Sequence, residues 1–287
     1  MNKRIAVVPN EKAAGVNRVL PQVCDILQQL GAQVLLPPSS ASFCGEEADA
    51  VIRDGDVVVA LGGDGTIIHT AKRAARYERA VLGINCGTLG FMAVFPKVFR
   101  SITCDELTRL SALMTGEYTV DDRMMLSVEV RQNGAICQTF FALNEAVVSR
   151  GPLSRMIGLA IGNQHESVIQ YHADGVILAT PTGSTAYSLS AGGPVIDPAL
   201  RGLLMTPICP HSLHSRAYIF KEDAVLSVGW DGPAGTNAFL SVDGENGVAL
   251  AAGDTVVVRK AAQSARLITI KTQPFYDVLH RKLMDRC

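Results

Sequence analysis

Residues 57–73 read VVVALGGDGTIIHTAKR: an apolar run ends in Gly62, Gly63, Asp64 and Gly65, and a helix-like pattern begins near Thr66. A glycine turn between a strand and a helix lets backbone N–H groups and the helix N-terminus face an anion, which is the chemistry of phosphate binding. A carboxylate in such a turn repels phosphate, so Asp64 needs a different reason to be there. Either it N-caps the helix, a common place for aspartate, or it faces a second ligand that the loop approaches closely, for which glycines on both sides are suited. The turn has neither the lysine of a P-loop nor the spacing of the dinucleotide-binding fingerprint.

Residues 171–198, YHADGVILATPTGSTAYSLSAGGPVIDP, crowd Thr182, Ser184, Thr185, Ser188 and Ser190 between glycines and prolines. Small hydroxyls beside exposed amides suit sugar hydroxyls and phosphates; the plain alternative is a glycine-rich turn leading into a capped helix. The GxSxG elbow of serine hydrolases is missing. In FFALNEAVV, Asn144 and Glu145 interrupt an apolar strand, so either the strand ends there or a polar ligand supplies a partner for the buried group. His172 and Asp174 lie two apart, on one face if the segment is extended. His211 and His214 lie three apart without a third acid or thiol nearby, which is weak as a zinc site. His69 reads as a helix-face residue.

These groups need elements to hold them. RIAVVP reads as a strand, GVNRVLPQVCDILQQLG as a helix closed by Gly31, and AQVLLP as a strand; after a loop around SSASFCGEEADAVIR come DVVVALGGDG, the helix TIIHTAKRAARY and AVLGINCGTLGFMA. Strands alternating with helices predict an α/β domain with a parallel, Rossmann-like sheet, whose ligands bind at the carboxyl ends of the strands, where GGDG lies. From about Asp121 the texture changes. RMMLSVEVRQNGAICQTFFALNEAVVSR is two alternating strands around Asn133-Gly134, a strong hairpin signal, and further strand-like pieces follow. The expected organisation is an α/β domain over 1–120, a β-rich domain over 121–271, and a C-terminal segment over 272–287.

With 287 residues, 48% hydrophobic, 18% charged and a formal net charge of −1, the chain has the profile of an ordinary globular protein. Nothing in this balance asks for nucleic acid or a membrane surface as partner. The 7 cysteines are scattered and never spaced as CxxC, which points to reduced thiols and a cytoplasmic setting. The opening MNKRIAVVPN is cut short by Pro9 and Asn10 and reads as a strand rather than a signal-peptide core.

Taken together, GGDGT at 62–66, GINCGTLGF at 83–91, NEAVV at 144–148, DGVILATPTGSTAYSLSAGGPV at 174–195 and PICPHSLHSR at 207–216 resemble the NAD kinases, which phosphorylate the 2′-hydroxyl of the adenosine ribose of NAD. GGDGT is shared with diacylglycerol and sphingosine kinases, and a close relative occurs in phosphofructokinases; the TPTGSTAYSLSAGGP block is far more specific. The resemblance implies the NAD kinase/diacylglycerol kinase-like fold, with Asp64 as proton acceptor and Gly65 lining the same site. It implies that Asn144 and Glu145 contact the ribose and phosphate region, that Arg155, His172 and Asp174 approach the dinucleotide, and that Thr185, Ala186, Tyr187, Ser188, Leu189 and Ser190 wrap it. Tyr187 is then an aromatic wall and Phe91 the adenine-side contact. Glu245 stands where the family usually has glutamine, and is carried over with that difference. The C-terminal segment is expected to return to the first domain.

On this reading the substrates are NAD and ATP, with polyphosphate as an open alternative donor, and the protein forms a homodimer or homotetramer. Phosphoryl transfer rests on positioning and charge neutralisation, so Asp64 orients the hydroxyl and takes its proton as the new bond forms. The charge of the triphosphate beside that carboxylate implies a divalent cation, magnesium by its preference for oxygen donors. Two alternatives share part of the pattern: a lipid kinase, which should lack TAYSLS and need a membrane surface, and a dinucleotide sensor without turnover, against which an intact Asp64 counts.

Overall fold

The computed structural model describes residues 2–13, 15–38, 45–86, 104–151, 155–164, 166–212, 215–232, 237–245, 247–270 and 275–284. The chain divides into two compact units, 1–122 with 265–287, and 123–264.

The first unit carries β1 (Arg4–Pro9), α1 (Val16–Gln29), β2 (Gln33–Leu35), α2 (Glu46–Asp54), β3 (Val57–Gly62), α3 (Asp64–Ala75), β4 (Ala80–Asn85) and α4 (Cys104–Thr115). Its strands pair in parallel in the order β2-β1-β3-β4. Every residue of β3 and β4 is buried. That is why VVVALG and AVLGIN are continuous apolar runs instead of alternating ones. Val16, Val19, Val23 and Leu27 of α1 pack on Ile5, Val7, Val59 and Leu82. The spacing of these helix residues is the 3.6-residue stripe of a surface helix. Helix α2 corrects the expectation of a loop around SSASFCGEEADAVIR. Its first turn holds Glu46, Glu47 and Asp49, which suit a helix N-terminus, and Ala48 and Ile52, one turn apart, are buried.

The second unit begins within β5 (Thr119–Gln132), which turns through Asn133-Gly134, both at positive φ, into β6 (Ala135–Ala142). There follow β7 (Glu145–Arg150), β8 (Ile157–Asn163), β9 (Glu166–Ala173) and β10 (Gly175–Ala179). A 3₁₀ turn (Thr182–Thr185) and a one-turn helix α5 (Tyr187–Ser190) come next. The remaining strands are β11 (Leu203–Ile208), β12 (Tyr218–Phe220), β13 (Leu226–Asp231), β14 (Ala238–Val242), β15 (Val248–Leu250) and β16 (Thr255–Thr269), and the last helix, α6 (Phe275–Met284), belongs to the first unit. Strand β16 crosses the division at 264/265, and its Arg266 and Leu267 run parallel to β4.

An antiparallel sheet of six strands, β12-β11-β10-β7-β14-β15, lies wholly in the second unit. Alternate residues of β7 and β10 (Ala146, Val148, Val176, Leu178) meet Ile157, Leu159, Leu226 and Val256 of the β8, β13 and β16 strands in one core. The opposite face, with Val147, Ile177 and Ala179, is covered by Ile196 of the segment after α5. Burial on both faces makes GVILA wholly apolar, and it fixes the height at which the chain leaves the sheet at Thr180.

Candidate functional site

The glycine turn of the first unit follows β3. Gly63, not Asp64, is the N-cap of α3, with φ −90° and ψ −177°, and no side chain caps the helix. Asp64 is the first helical residue, half-buried. This corrects the capping reading and puts the carboxylate where the helix dipole favours negative charge. Thr66 is buried: its hydroxyl accepts a hydrogen bond from the Asn10 side-chain amide at 3.0 Å, and a Cβ on Gly62 would lie 2.3 Å from that oxygen. Thr66 and Gly62 thus shape the turn from inside. At Gly63 and Gly65 an added Cβ would meet nothing within 4 Å among the described residues. Among the described residues, no packing requires those two to be glycine. Asn10, at the end of β1, was missed by sequence reasoning; the Pro-Asn break after an apolar run was its signal.

In the second unit the chain leaves the β5–β6 hairpin at Ala142, bends through Leu143 and Asn144, and enters the six-stranded sheet at Glu145. The apolar strand therefore ends at the Asn-Glu pair, one of the two outcomes left open by the sequence. The bend is held by three devices. The Thr180 hydroxyl donates to Leu143 O at 2.6 Å and accepts from the Gly183 N–H at 3.0 Å. The Thr180 N–H donates to Asn144 O at 2.8 Å. Gly183 lies so close that a Cβ there would sit 2.2 Å from Asn144 O, so only glycine lets the TPTGST turn approach the bend. The third device is Asp243, whose carboxylate accepts the N–H groups of Leu143 (2.8 Å), Asn144 (2.8 Å) and Glu145 (3.0 Å).

Glu145 is only 6% exposed, and its Oε2 has no hydrogen-bond partner among the described residues. Burial, and next the neighbouring Asp243 carboxylate, push the Glu145 carboxyl up to about 7, against the opposing pull of the Tyr187 N–H that bonds to it. A buried acceptor left without a donor costs about 1–3 kcal/mol. Among the described residues, Glu145 Oε2 is thus an acceptor with room for one further O–H or N–H donor.

The hydroxyls of the TPTGSTAYSLS segment behave differently from the expectation that they face a ligand. Ser184 Oγ donates to Pro181 O at 2.6 Å and accepts from the Ile196 N–H at 3.0 Å; Thr185 Oγ1 donates to Thr182 O at 3.3 Å; Ser188 Oγ and Thr206 Oγ1 share a hydrogen bond of 2.8 Å. All of these residues are buried. They are small because they knit the turn together. Tyr187 and Ser190 are exposed, and Ala186 and Leu189 half-buried. Arg123 Nη1 donates to Thr182 Oγ1 at 3.4 Å.

His172 and Asp174 do not share a strand face, because β9 ends at Ala173 and the chain changes sheets at Asp174. Asp174 Oδ1 accepts from Arg150 Nε at 2.5 Å. His172 is exposed beside a cleft of about 390 Å³ with Gly158, Trp230 and Asp231. Arg155 is exposed just before β8. Glu245 is exposed; its N–H donates to Val242 O and its carbonyl accepts from Ser241 Oγ, so its backbone closes the β14–β15 turn. The side chain of that turn that reaches the Asn-Glu bend is Asp243, which sequence reasoning passed over for Glu245. Its signal was the Asp-Gly pair of a hairpin, with Asp243 at φ 49° and Gly244 at φ 73°. Phe91 and His214 lie outside the described residues. Among the described residues no group of three or more His, Cys, Asp or Glu could hold a metal ion, and no helix is long and apolar enough to cross a membrane.

Comparison with known proteins agrees over both units. Residues 5–118 match the ATP-NAD kinase N-terminal domain and residues 143–270 the ATP-NAD kinase C-terminal domain. The chain is 40% identical over 286 residues to an NAD kinase of Symbiobacterium thermophilum and 35% identical over 293 residues to one of Natranaerobius thermophilus, each alignment covering 98% of both chains. Among solved structures it resembles an NAD kinase from Archaeoglobus fulgidus in complex with ATP, at 26% identity and TM-score 0.74 over 98% of each chain. It shares the fold of yeast NADH kinase complexed with NADH, at 24% identity and TM-score 0.79, over 99% of this chain and 88% of the other.

Proposed function

We propose, from the premise that this chain belongs to the ATP-NAD kinase family, that it transfers the terminal phosphoryl group of ATP to the 2′-hydroxyl of the adenosine ribose of NAD, giving NADP. The observation that supports the reading is the buried Oε2 of Glu145 beside Asn144, which has no partner among the described residues and is an acceptor that a ribose hydroxyl would complete. Against a lipid kinase, the family match extends over the second unit as well as GGDGT.

In this mechanism Asn144 and Glu145 hold the ribose and phosphate region of the dinucleotide, and the exposed ring of Tyr187 gives it an apolar wall. Thr185, Ala186, Ser188, Leu189 and Ser190 form the turn around it. Arg155, His172 and Asp174 approach it, with Asp174 oriented by Arg150, and Glu245 stands by in its hairpin turn. Gly63 and Gly65 leave the α3 N-terminus open to phosphate oxygens. Asp64 accepts a hydrogen bond from the 2′-hydroxyl, aligns its oxygen for attack and takes the proton as the new bond forms.

Asp64, a half-buried carboxylate in the first turn of α3, fits magnesium, which is commonly held through one or two carboxylates and substrate phosphates. When bound, the ion offsets triphosphate charge; Asp64 is the residue that would share in holding it. The protein works in the cytoplasm as a homodimer or homotetramer, which light scattering of the purified chain checks.

The test is to incubate the purified chain with NAD, ATP and magnesium and read the product with an NADP-specific dehydrogenase. NADP that accumulates in proportion to enzyme supports the reading; neither NADP from NAD nor NADPH from NADH, with ATP or polyphosphate as donor, removes it.

A further inference from the structure

Three consecutive backbone N–H groups, those of Leu143, Asn144 and Glu145, converge on one carboxylate, and both oxygens of Asp243 are used: Oδ2 takes Leu143, and Oδ1 takes Asn144 and Glu145. Such a run of amides is an anion-binding nest. Here the anion is supplied by the chain itself, from the turn of the β14–β15 hairpin. The Asp243 N–H returns a bond to Glu145 O at 2.9 Å, so four bonds tie one residue to this three-residue bend. The hairpin turn is built to allow this. Asp243 sits at φ 49°, a conformation tolerated by Asp and Asn through their short polar side chains.

We propose that Asp243 is the positioning residue of the dinucleotide site: by filling the nest it fixes the direction in which the Asn144 and Glu145 side chains are presented to the ribose. The assignment of the ligand rests on the reading under Proposed function; the filling of the nest does not. Two features argue for a role beyond holding the strand. The β7–β14 pairing is already secured by its own register from Val242↔Ala146 to Ala238↔Arg150, so the nest bonds act on the bend ahead of the strand. Moreover, Asp243 places a negative charge beside the one carboxyl of the bend that lacks a full set of partners. The groups facing Glu145 are the Asp243 carboxylate from the β14–β15 turn and the Tyr187 N–H from α5; the first favours the protonated form of Glu145 and the second the ionised form. Asp243 therefore fixes the direction of Glu145 and adds to the effect of burial, the larger cause, in favouring its protonated form.

Two variants separate this from a merely structural part. Asp243→Asn keeps the Oδ1 bonds to Asn144 and Glu145 and turns an NH₂ toward the Leu143 N–H; Asp243→Gly removes the carboxylate while easing the positive φ. With rates normalised to folded protein, Asp243→Gly is expected to raise KM for NAD about tenfold, with Asp243→Asn between it and the parent, while KM for ATP stays within about twofold. In Asp243→Asn the inflection of KM for NAD against pH that belongs to Glu145 moves downward, because a like charge is gone. A rise of both KM values together, no change in either, or an unmoved inflection overturns the proposal. On the same proteins, hydrogen exchange of the Leu143, Asn144 and Glu145 amides decides the nest whatever the ligand is. Exchange accelerated in Asp243→Gly at these amides and not along β7 supports it; equal exchange overturns it. Absence of NADP formation by the parent would count against the proposed reaction alone, and the exchange result would still decide Asp243.

Discussion

A Cβ added at Gly63 or Gly65 meets nothing within 4 Å among the described residues, whereas one added at Gly183 would lie 2.2 Å from the carbonyl of Asn144. Both are glycines in strand-to-helix turns, yet for opposite reasons. Among the described residues the GGDG turn is open and has room for something that comes from outside; the TPTGST turn is closed, and its glycine and buried hydroxyls serve the chain's own contacts. The difference suggests a division of labour. On the proposed function, the open turn deals with the charged donor and the proton. The closed turn holds Asn144 and Glu145 in place, so that on the same proposal little ordering remains when the dinucleotide arrives.

The contrast can be broken or sharpened by substitution. The largest effect is expected at the open turn: Asp64→Asn lowers kcat by about 10² to 10⁴-fold, the range for losing a general base, with thermal stability nearly unchanged. A variant that keeps near-parent turnover at saturating substrates would remove the base role. The glycines should then split. Gly183→Ala, which cannot avoid Asn144, costs about 3 kcal/mol in a denaturant titration. Gly63→Ala, at φ −90° in open space, leaves the unfolding midpoint in place and raises KM for ATP about tenfold. Equal stability loss in both would mean that the two turns are alike.

The next effect concerns pH. Glu145 is held at about 7 in the fold against an ordinary value of 4.5, so between these values the folded state keeps a proton that the unfolded chain has lost. Its contribution to stability is therefore fully present below about pH 4.5 and is lost as pH rises through about 7, an effect of at most about 3 kcal/mol. Glu145→Gln, which cannot ionise, should flatten that part of the stability–pH curve, so that its advantage over the parent grows between pH 5 and 8. A parent curve that does not fall across this range would contradict the buried, under-bonded state of the carboxyl. The smallest effect is expected for Thr180→Val, which removes a hydroxyl that both accepts from Gly183 and donates to Leu143. A loss of about 1–3 kcal/mol in urea unfolding, with kcat little changed, fits a residue that only braces the bend.

The sequence spoke clearly where a local rule decides. The alternation of apolar runs with amphipathic stretches gave the parallel sheet its β1, β3 and β4, and Asn133-Gly134 gave the hairpin its turn. It spoke less clearly where tertiary partners decide. The change of sheets at Asp174 has no periodic signature, since the residues on either side are equally strand-like. The buried hydroxyls of Ser184, Thr185 and Ser188 have the same composition as hydroxyls that face a ligand, and only their partners, Pro181, Ile196, Thr182 and Thr206, tell them apart. Helix α2 hid behind an acidic first turn that reads as a polar loop. Asp243 was hidden most deeply: it lies about a hundred residues along the chain from the amides it binds, and an Asp-Gly turn explains itself without them.

The division of labour is tested most directly by titrating NAD into Asp64→Asn and Asn144→Ala side by side in a calorimeter. The second substitution leaves the backbone bonds of residue 144 to Asp243 and Thr180 in place. NAD should bind Asp64→Asn within about threefold of the parent and Asn144→Ala about tenfold more weakly, the loss expected for a hydrogen bond made by an oriented side chain. If Asp64→Asn lost NAD affinity while Asn144→Ala kept it, the two turns would have exchanged the roles assigned to them, and the account would be wrong at its centre.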